Sequence, residues 1–303
     1  MLSPDKLKRL YTKMLHCRLI EEEASQLFKE TGVAGTRRLS RGHEATEVGA
    51  LIDLQARDCV APRRRDFVAG FILGAPLKQV VTQIHTALAH SNSPRISARP
   101  RSEAPLIIAG AAAMAARLNI STGVALVYKM QKRPGVVVAF SGDDSMALAS
   151  WQEAMDFALA HKLPIVHVVQ DDLGGESANP PGQSSADTSA GDIGMPTLIV
   201  DGNDVVAVYR VAQEAIRRAR EGHGPTLIAC KTHRWPGYSG IAPAQHRLPS
   251  GKPDDPISRM EAYLAEKGLW SEAWKQKLVS AFRKQLDAAA HSARQRSVSQ
   301  AAV

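Results

Sequence analysis

Asp143 and Asp172 stand 29 positions apart, and each follows a short apolar run rich in β-branched residues. The runs are GVVVAFS over 135–141 and IVHVV over 165–169. Carboxylate oxygens are hard donors, and magnesium takes one or two of them together with waters and phosphate oxygens. If both aspartates reach one place, the chemistry they offer is a Mg2+ site for a phosphorylated cofactor. The same residues also suit solvated turns or helix caps, which aspartate favours after a strand. Spacing alone leaves both readings open.

What would bring the two together is a parallel sheet. Residues 135–141 are bounded by Pro134 and Gly142, the pattern of a buried strand. Trp151, Ala154, Met155, Ala158 and Leu159 then fall on one helix face. Pro164 precedes the second strand, which ends at Gln170-Asp171-Asp172, so Asp172 is expected just past it. Two further strands are expected over 197–200 and 226–230, with a helix over 205–220 closed by Gly222 between them. Alternation of this kind implies an α/β fold, a doubly wound, mostly parallel sheet with helices on both faces. Its strand ends share one edge, where ligands of open α/β sheets bind.

The flanks read as helix and loop. The first 30 residues suit an amphipathic helix capped by Ser3, with Pro4 at its first position. A loop over Thr31–Gly42 carries Arg37, Arg38 and Arg41, a second helix starts near Glu44, and Asp58–Asp66 holds Arg63, Arg64 and Arg65. Residues 90–105 are rich in Ser, Pro and Arg and read as a loop, and 236–256 are rich in Pro and Gly. A helical region is expected from there to about Arg294. The organisation expected is one domain over 1–303, with 1–30 as a helical arm and 256–303 as a helical tail.

Composition narrows the class. The chain has 303 residues, 44% hydrophobic and 22% charged, enough for a substantial core. Its longest apolar run, Leu106–Ala116, is far below the ~20 residues a membrane helix needs. With no apolar leader, a soluble cytoplasmic protein is expected. Cys17, Cys59 and Cys230 form no CxxC pair and read as packed thiols. His43-Glu44 begins like a zinc-protease helix, but the second histidine is Glu47. No GxSxG elbow and no GxxxxGK[ST] or GxGxxG loop occurs. His167, inside an expected strand, reads as a packing or satisfied core histidine. The formal charge of +8 allows an anionic ligand, an acidic partner or nucleic acid. Arg95, Arg99 and Arg101 join the other loop arginines, but no aromatic interleaving or nucleic-acid motif accompanies them.

The run GDDSMALASWQEAMDFALAHKLPIVHVVQDD resembles the thiamine-diphosphate motif, a GDG followed after about thirty residues by an NN pair with a KLP lead-in. YTKMLHCRLIEEEASQLF, RLSRGHEATEVGA and the segment from GMPTLIVDG to CKTHR resemble three further stretches of one family. That family is the α subunit of 2-oxo acid dehydrogenase E1 components, of the pyruvate, branched-chain or acetoin type. The likeness runs over roughly residues 8 to 290.

The resemblance implies thiamine diphosphate and Mg2+ as cofactors, with Asp143 and Asp172 on the metal. It implies Gly142, Asp143, Asp144, Arg64, Arg65 and Ser239 around the cofactor, and assigns no catalytic residue to this chain. It also implies a β-type E1 subunit in an α2β2 assembly, without which the chain is inactive, and a lipoyl-bearing acyltransferase as acceptor. The chain departs from the pattern at several positions. Asp144 replaces the second glycine of GDG, and Asp171-Asp172 replaces NN. Phe67 replaces a histidine, and Pro236-Gly237-Tyr238-Ser239 replaces HGHS. Ala112-Ala113-Met114-Ala115 replaces GIVG, and Arg38 stands where a substrate-pocket histidine is expected. Three readings follow: a cofactor-binding E1 α chain in which Arg64 and Arg65 offset the added carboxylates; a noncatalytic E1 α-like scaffold; and a basic anion- or nucleic-acid-binding protein.

Overall fold

Six parallel strands in the order β2-β1-β3-β4-β6-β5 form the centre of the computed structural model, which describes residues 2–30, 41–63, 68–89, 104–108, 114–142, 146, 149–173, 194–233 and 255–301. In chain order the elements are α1 (Pro4–Glu30), α2 (Glu44–Leu51), β1 (Cys59–Ala61), α3 (Val68–Ile72), α4 (Leu77–Ala89) and β2 (Leu106–Ile107). Then come α5 (Met114–Met130), β3 (Val137–Gly142), α6 (Ala149–Ala160), β4 (Ile165–Leu173) and β5 (Thr197–Asp201). The last four are α7 (Val205–Arg220), β6 (Thr226–His233), α8 (Pro256–Glu266) and α9 (Glu272–Ala301).

Side chains alternate between the faces of a strand, and the core divides accordingly. Val138, Phe140, Val166 and Val168 face a larger cluster built with α1–α4 and α7–α9. Val137, Ala139, Ile165 and Val169 face a smaller one, closed by Leu118 of α5 and by Trp151 and Met155 of α6. Both faces of the central strands are dry, which is why their sequences run apolar without alternating. The N-terminal helix, expected as an arm, places Leu10, Tyr11, Met14 and Ile20 fully inside the larger cluster. Ser3 Oγ accepts from the Lys6 N–H at 3.2 Å, the expected cap.

At the amino end of the sheet, buried Asp58 holds the register. It accepts from the backbone N–H groups of Gln55 and Val136 and from Arg220 Nη2, at 2.8, 3.0 and 2.7 Å. At the carboxyl end the crossovers diverge. β1 leads through α3 and α4 on the larger cluster's face, whereas β3 leads through α6 on the other face. β1 and β3 are neighbours, so the sheet reverses its winding between them, and a crevice opens at such a switch point.

One expectation is corrected. Asp172 does not lie past the second central strand but inside it. β4 outruns β3 because β6 continues to pair with it, Asp171 opposite Lys231, Asp172 opposite Thr232 and Leu173 opposite His233. The strands β1 and β2 and the helix α5 have no counterpart in the sequence reading. A three-residue and a two-residue strand are too short to show a period.

Candidate functional site

The carboxyl edge is assembled from the ends of β1, β3, β4 and β6 and the start of α2. β3 ends at Gly142, whose partner on β4 is Gln170. Two residues beyond β1, Arg63 Nη1 donates to Gln170 Oε1 at 2.7 Å and to His43 Nδ1 at 3.2 Å. β3 lies between β1 and β4, so this contact spans the end of β3. Gly142 shares the face of Val138 and Phe140 and carries no side chain there, which leaves the path to Gln170 clear.

Arg63 offers only N–H groups, so the His43 ring accepts at Nδ1 and carries its proton on Nε2. That Nε2 stands 3.4 Å from Thr232 Oγ1, whose own hydroxyl donates to the Asp171 carbonyl at 3.2 Å. The relay Arg63–His43–Thr232–Asp171 thus ties the β1 end, the start of α2 and the β4–β6 ladder into one unit. His43, Gln170, Asp171 and Thr232 are all buried.

The start of α2 is itself fixed from below. Glu44 accepts from buried Arg18 Nε at 2.5 Å and from the Gly42 N–H at 2.9 Å, and Arg18 Nη2 donates to Asp255 at 2.7 Å. Burial works against the Arg18 charge, but Glu44 and then Asp255 outweigh it and hold its pKa above the ordinary value. Burial likewise opposes the charge of Asp255, and Arg18 wins, keeping that carboxyl below the usual range. Thr46 of α2 donates to the Gly202 carbonyl at 3.1 Å. Through these contacts α1, α8 and the turn after β5 set where His43 sits.

Of the residues singled out from the sequence, Gly142 ends β3 at this edge, and Asp172 stands in β4 opposite Thr232. Asp171 is buried one position before it. Arg64, Arg65, Asp143, Asp144 and Ser239 lie outside the described residues, as do Arg38, Phe67 and the segments 112–113 and 236–239. Among the described residues no group of three His, Cys, Asp or Glu could hold a metal ion. His43, Gln170 and Thr232 were not legible as site residues. Arg63 was visible only as one of three consecutive arginines.

Gln170 is fully buried, and its Nε2 has no hydrogen-bond partner among the described residues. Arg63 fixes the amide orientation, because a cation selects the oxygen, so the free donor is the nitrogen. A guanidinium and an orphaned amide donor, beside a strand end without a side chain, form a donor set that suits phosphate or carboxylate oxygens. The described edge therefore fits the diphosphate of a bound cofactor.

The profile of the Dehydrogenase E1 component family matches residues 12–302. The chain belongs to the dehydrogenase E1 component family. This E1 chain is 31% identical over 281 residues to the chloroplastic pyruvate dehydrogenase E1 component subunit alpha-3 of Oryza sativa subsp. japonica, covering 87% of the chain and 66% of that protein. It is 31% identical over 287 residues to the pyruvate dehydrogenase E1 component subunit alpha of Bacillus cereus, and 30% over 290 residues to that of Bacillus subtilis. Each Bacillus comparison covers 92% of the E1 chain and 75% of the relative. The six-stranded parallel sheet with helices on both faces is the α/β architecture expected for the family.

Proposed function

We propose that this chain is the α-type subunit of a 2-oxo acid dehydrogenase E1 component, an oxidoreductase subunit that decarboxylates pyruvate or a branched-chain 2-oxo acid and passes the acyl group to a lipoyl carrier. The observation that carries the reading is the family match along 12–302, together with the Arg63–Gln170 donors at the switch-point edge of the sheet. Pyruvate is the acid named in the relatives cited above. The chain forms one domain and works in an α2β2 assembly with a β-type subunit, in the cytoplasm. Among the described residues no helix is long and apolar enough to cross a membrane.

When bound, thiamine diphosphate supplies the nucleophilic carbon and the electron sink that decarboxylation needs. This chain's part is to bind and orient. Asp143 and Asp172 would hold Mg2+, Arg64 and Arg65 would bind the diphosphate, and Gly142 and Ser239 would contribute to the cofactor site. Asp144 adds a negative charge where the family pattern has glycine, so Asp144→Gly tightens cofactor binding. An unchanged affinity in that variant removes repulsion as the reason for any weakness.

The test is calorimetric titration of thiamine diphosphate with Mg2+ into the purified chain and into its complex with a co-expressed β-type chain. Magnesium-dependent binding that appears or tightens in the complex supports the proposal. No heat from a folded complex overturns the cofactor role and leaves an E1 α-like scaffold.

A further inference from the structure

We infer that Arg63 and Gln170 form an oxyanion-binding pair at the switch-point crevice, in addition to the motif residues on which the proposed function relies. Both bonds that Arg63 makes among the described residues use Nη1, which leaves Nε and Nη2 able to donate elsewhere. Gln170 contributes the second donor, a buried Nε2 without a partner among the described residues. A buried amide N–H left unpaired carries a desolvation penalty, so an acceptor arriving at that point recovers what the protein already loses.

The neighbouring groups favour an anion over a cation or a neutral ligand. The guanidinium is fixed from two sides, by a carbonyl oxygen of an amide and by an imidazole nitrogen, neither of which neutralises it. Asp171, the next residue of β4, belongs by alternation to the opposite face of the sheet from Gln170. Asp172, the next strand position on the Gln170 face, is the carboxylate that the proposed function gives to Mg2+, which would bridge it to an anion. The Gln170 face is also the one that Gly142 leaves bare, so the donors are not walled off by the strand between them. His43 is a positioning residue here. Through Thr232 and the Asp171 carbonyl it locks the arginine to the strand that carries Gln170. An ordered guanidinium loses little further side-chain freedom on binding, which favours affinity.

The chemistry recognised is an oxyanion, supplied either by a diphosphate or by the carboxylate of a 2-oxo acid. The inference deepens the proposed function and rests on it for the source of the anion. The test uses the full chain co-expressed with its β-type partner, and titrates inorganic pyrophosphate, pyruvate and thiamine into wild type, Arg63→Met and Gln170→Glu. Arg63→Met keeps a linear side chain without the charge. Gln170→Glu keeps the shape but replaces the donor with a carboxylate.

The expected result is weakening by about tenfold or more in both variants for one of the two oxyanions, with thiamine unaffected. Loss confined to pyrophosphate assigns the pair to the diphosphate end of the cofactor, and loss confined to pyruvate assigns it to the substrate carboxylate. Arg63→Lys should recover part of the affinity, because the charge returns without the fork. Wild-type affinity for both oxyanions in Arg63→Met overturns the inference, as does a wild-type complex that binds neither. If Gln170→Glu does not fold, Arg63→Met alone decides. A wild-type complex that takes pyrophosphate but not thiamine diphosphate sinks the proposed function and leaves this pair standing.

Discussion

At the scale of single residues, His167 sets a stability term independent of the site. It sits in the middle of β4 between Ala139 and Leu227, fully buried, and neither ring nitrogen has a partner among the described residues. It is a packing histidine, not a satisfied one. Burial pushes its pKa down to about 3, and burial followed by the nearby Lys13 charge pushes His16 down to about 4. Both rings are neutral when folded and take up a proton near pH 6.5 when unfolded. Below that pH the unfolded chain binds more protons, so stability is full above about pH 6.5 and falls towards pH 4. The slope is up to about 1.4 kcal/mol per pH unit for each ring. Urea unfolding at pH 7, 6 and 5 should show the decline, and His167→Leu should make it shallower. A wild-type midpoint that stays constant across this range contradicts the assignment.

At the scale of elements, the site depends on how closely helices and turns approach the sheet. A Cβ on Gly202, in the turn between β5 and α7, would come 2.5 Å from Thr232 Cγ2 and 2.9 Å from the Lys231 carbonyl oxygen. Thr232 belongs to the relay that holds Arg63, and the Gly202 carbonyl receives Thr46 of α2. Gly202→Ala should therefore cost about 1–3 kcal/mol by overpacking and also weaken oxyanion binding, read by chemical denaturation and calorimetry on the same sample. The Arg18–Glu44–Asp255 contact ties α1, α2 and α8 in the interior. Glu44→Leu removes the buried partner of Arg18, and the expected loss is about 3–5 kcal/mol. A loss below 1 kcal/mol in a thermal or urea melt would show that the contact does not hold α2.

At the scale of the whole molecule, the prediction concerns assembly. The purified chain should show no 2-oxo acid decarboxylation with thiamine diphosphate and Mg2+, because the resemblance implies a β-type subunit without which the chain is inactive. Co-expression with such a chain should give a larger species by gel filtration and restore turnover; activity of the isolated chain would refute this. The charge of +8 tests the rival reading. Retention on heparin with a steep salt dependence is the signature of phosphate-backbone binding, and the subunit reading expects none.

The sequence alone determined what local periodicity encodes. The dry strands around Val138 and Val168, the α6 face from Trp151 to Leu159, the α7 helix and its Gly222 stop were all legible, because each is written in one continuous stretch of neighbouring residues. So was the family, which depends on matching types in register along the chain rather than on contacts. The tertiary structure decided what meets what. Asp172 reads as a loop residue until β6 is seen to extend the ladder past Gly142. Arg63 reads as one loop arginine among nine until strand order places it across a bare strand end from Gln170, 107 residues away. His43 and Thr232 stand 189 positions apart, yet face each other through the same edge. Pairings of that length are fixed by the order of strands in the sheet and by which helices cover each face. No run of neighbouring residues carries that order, so it emerged only when the sheet was assembled.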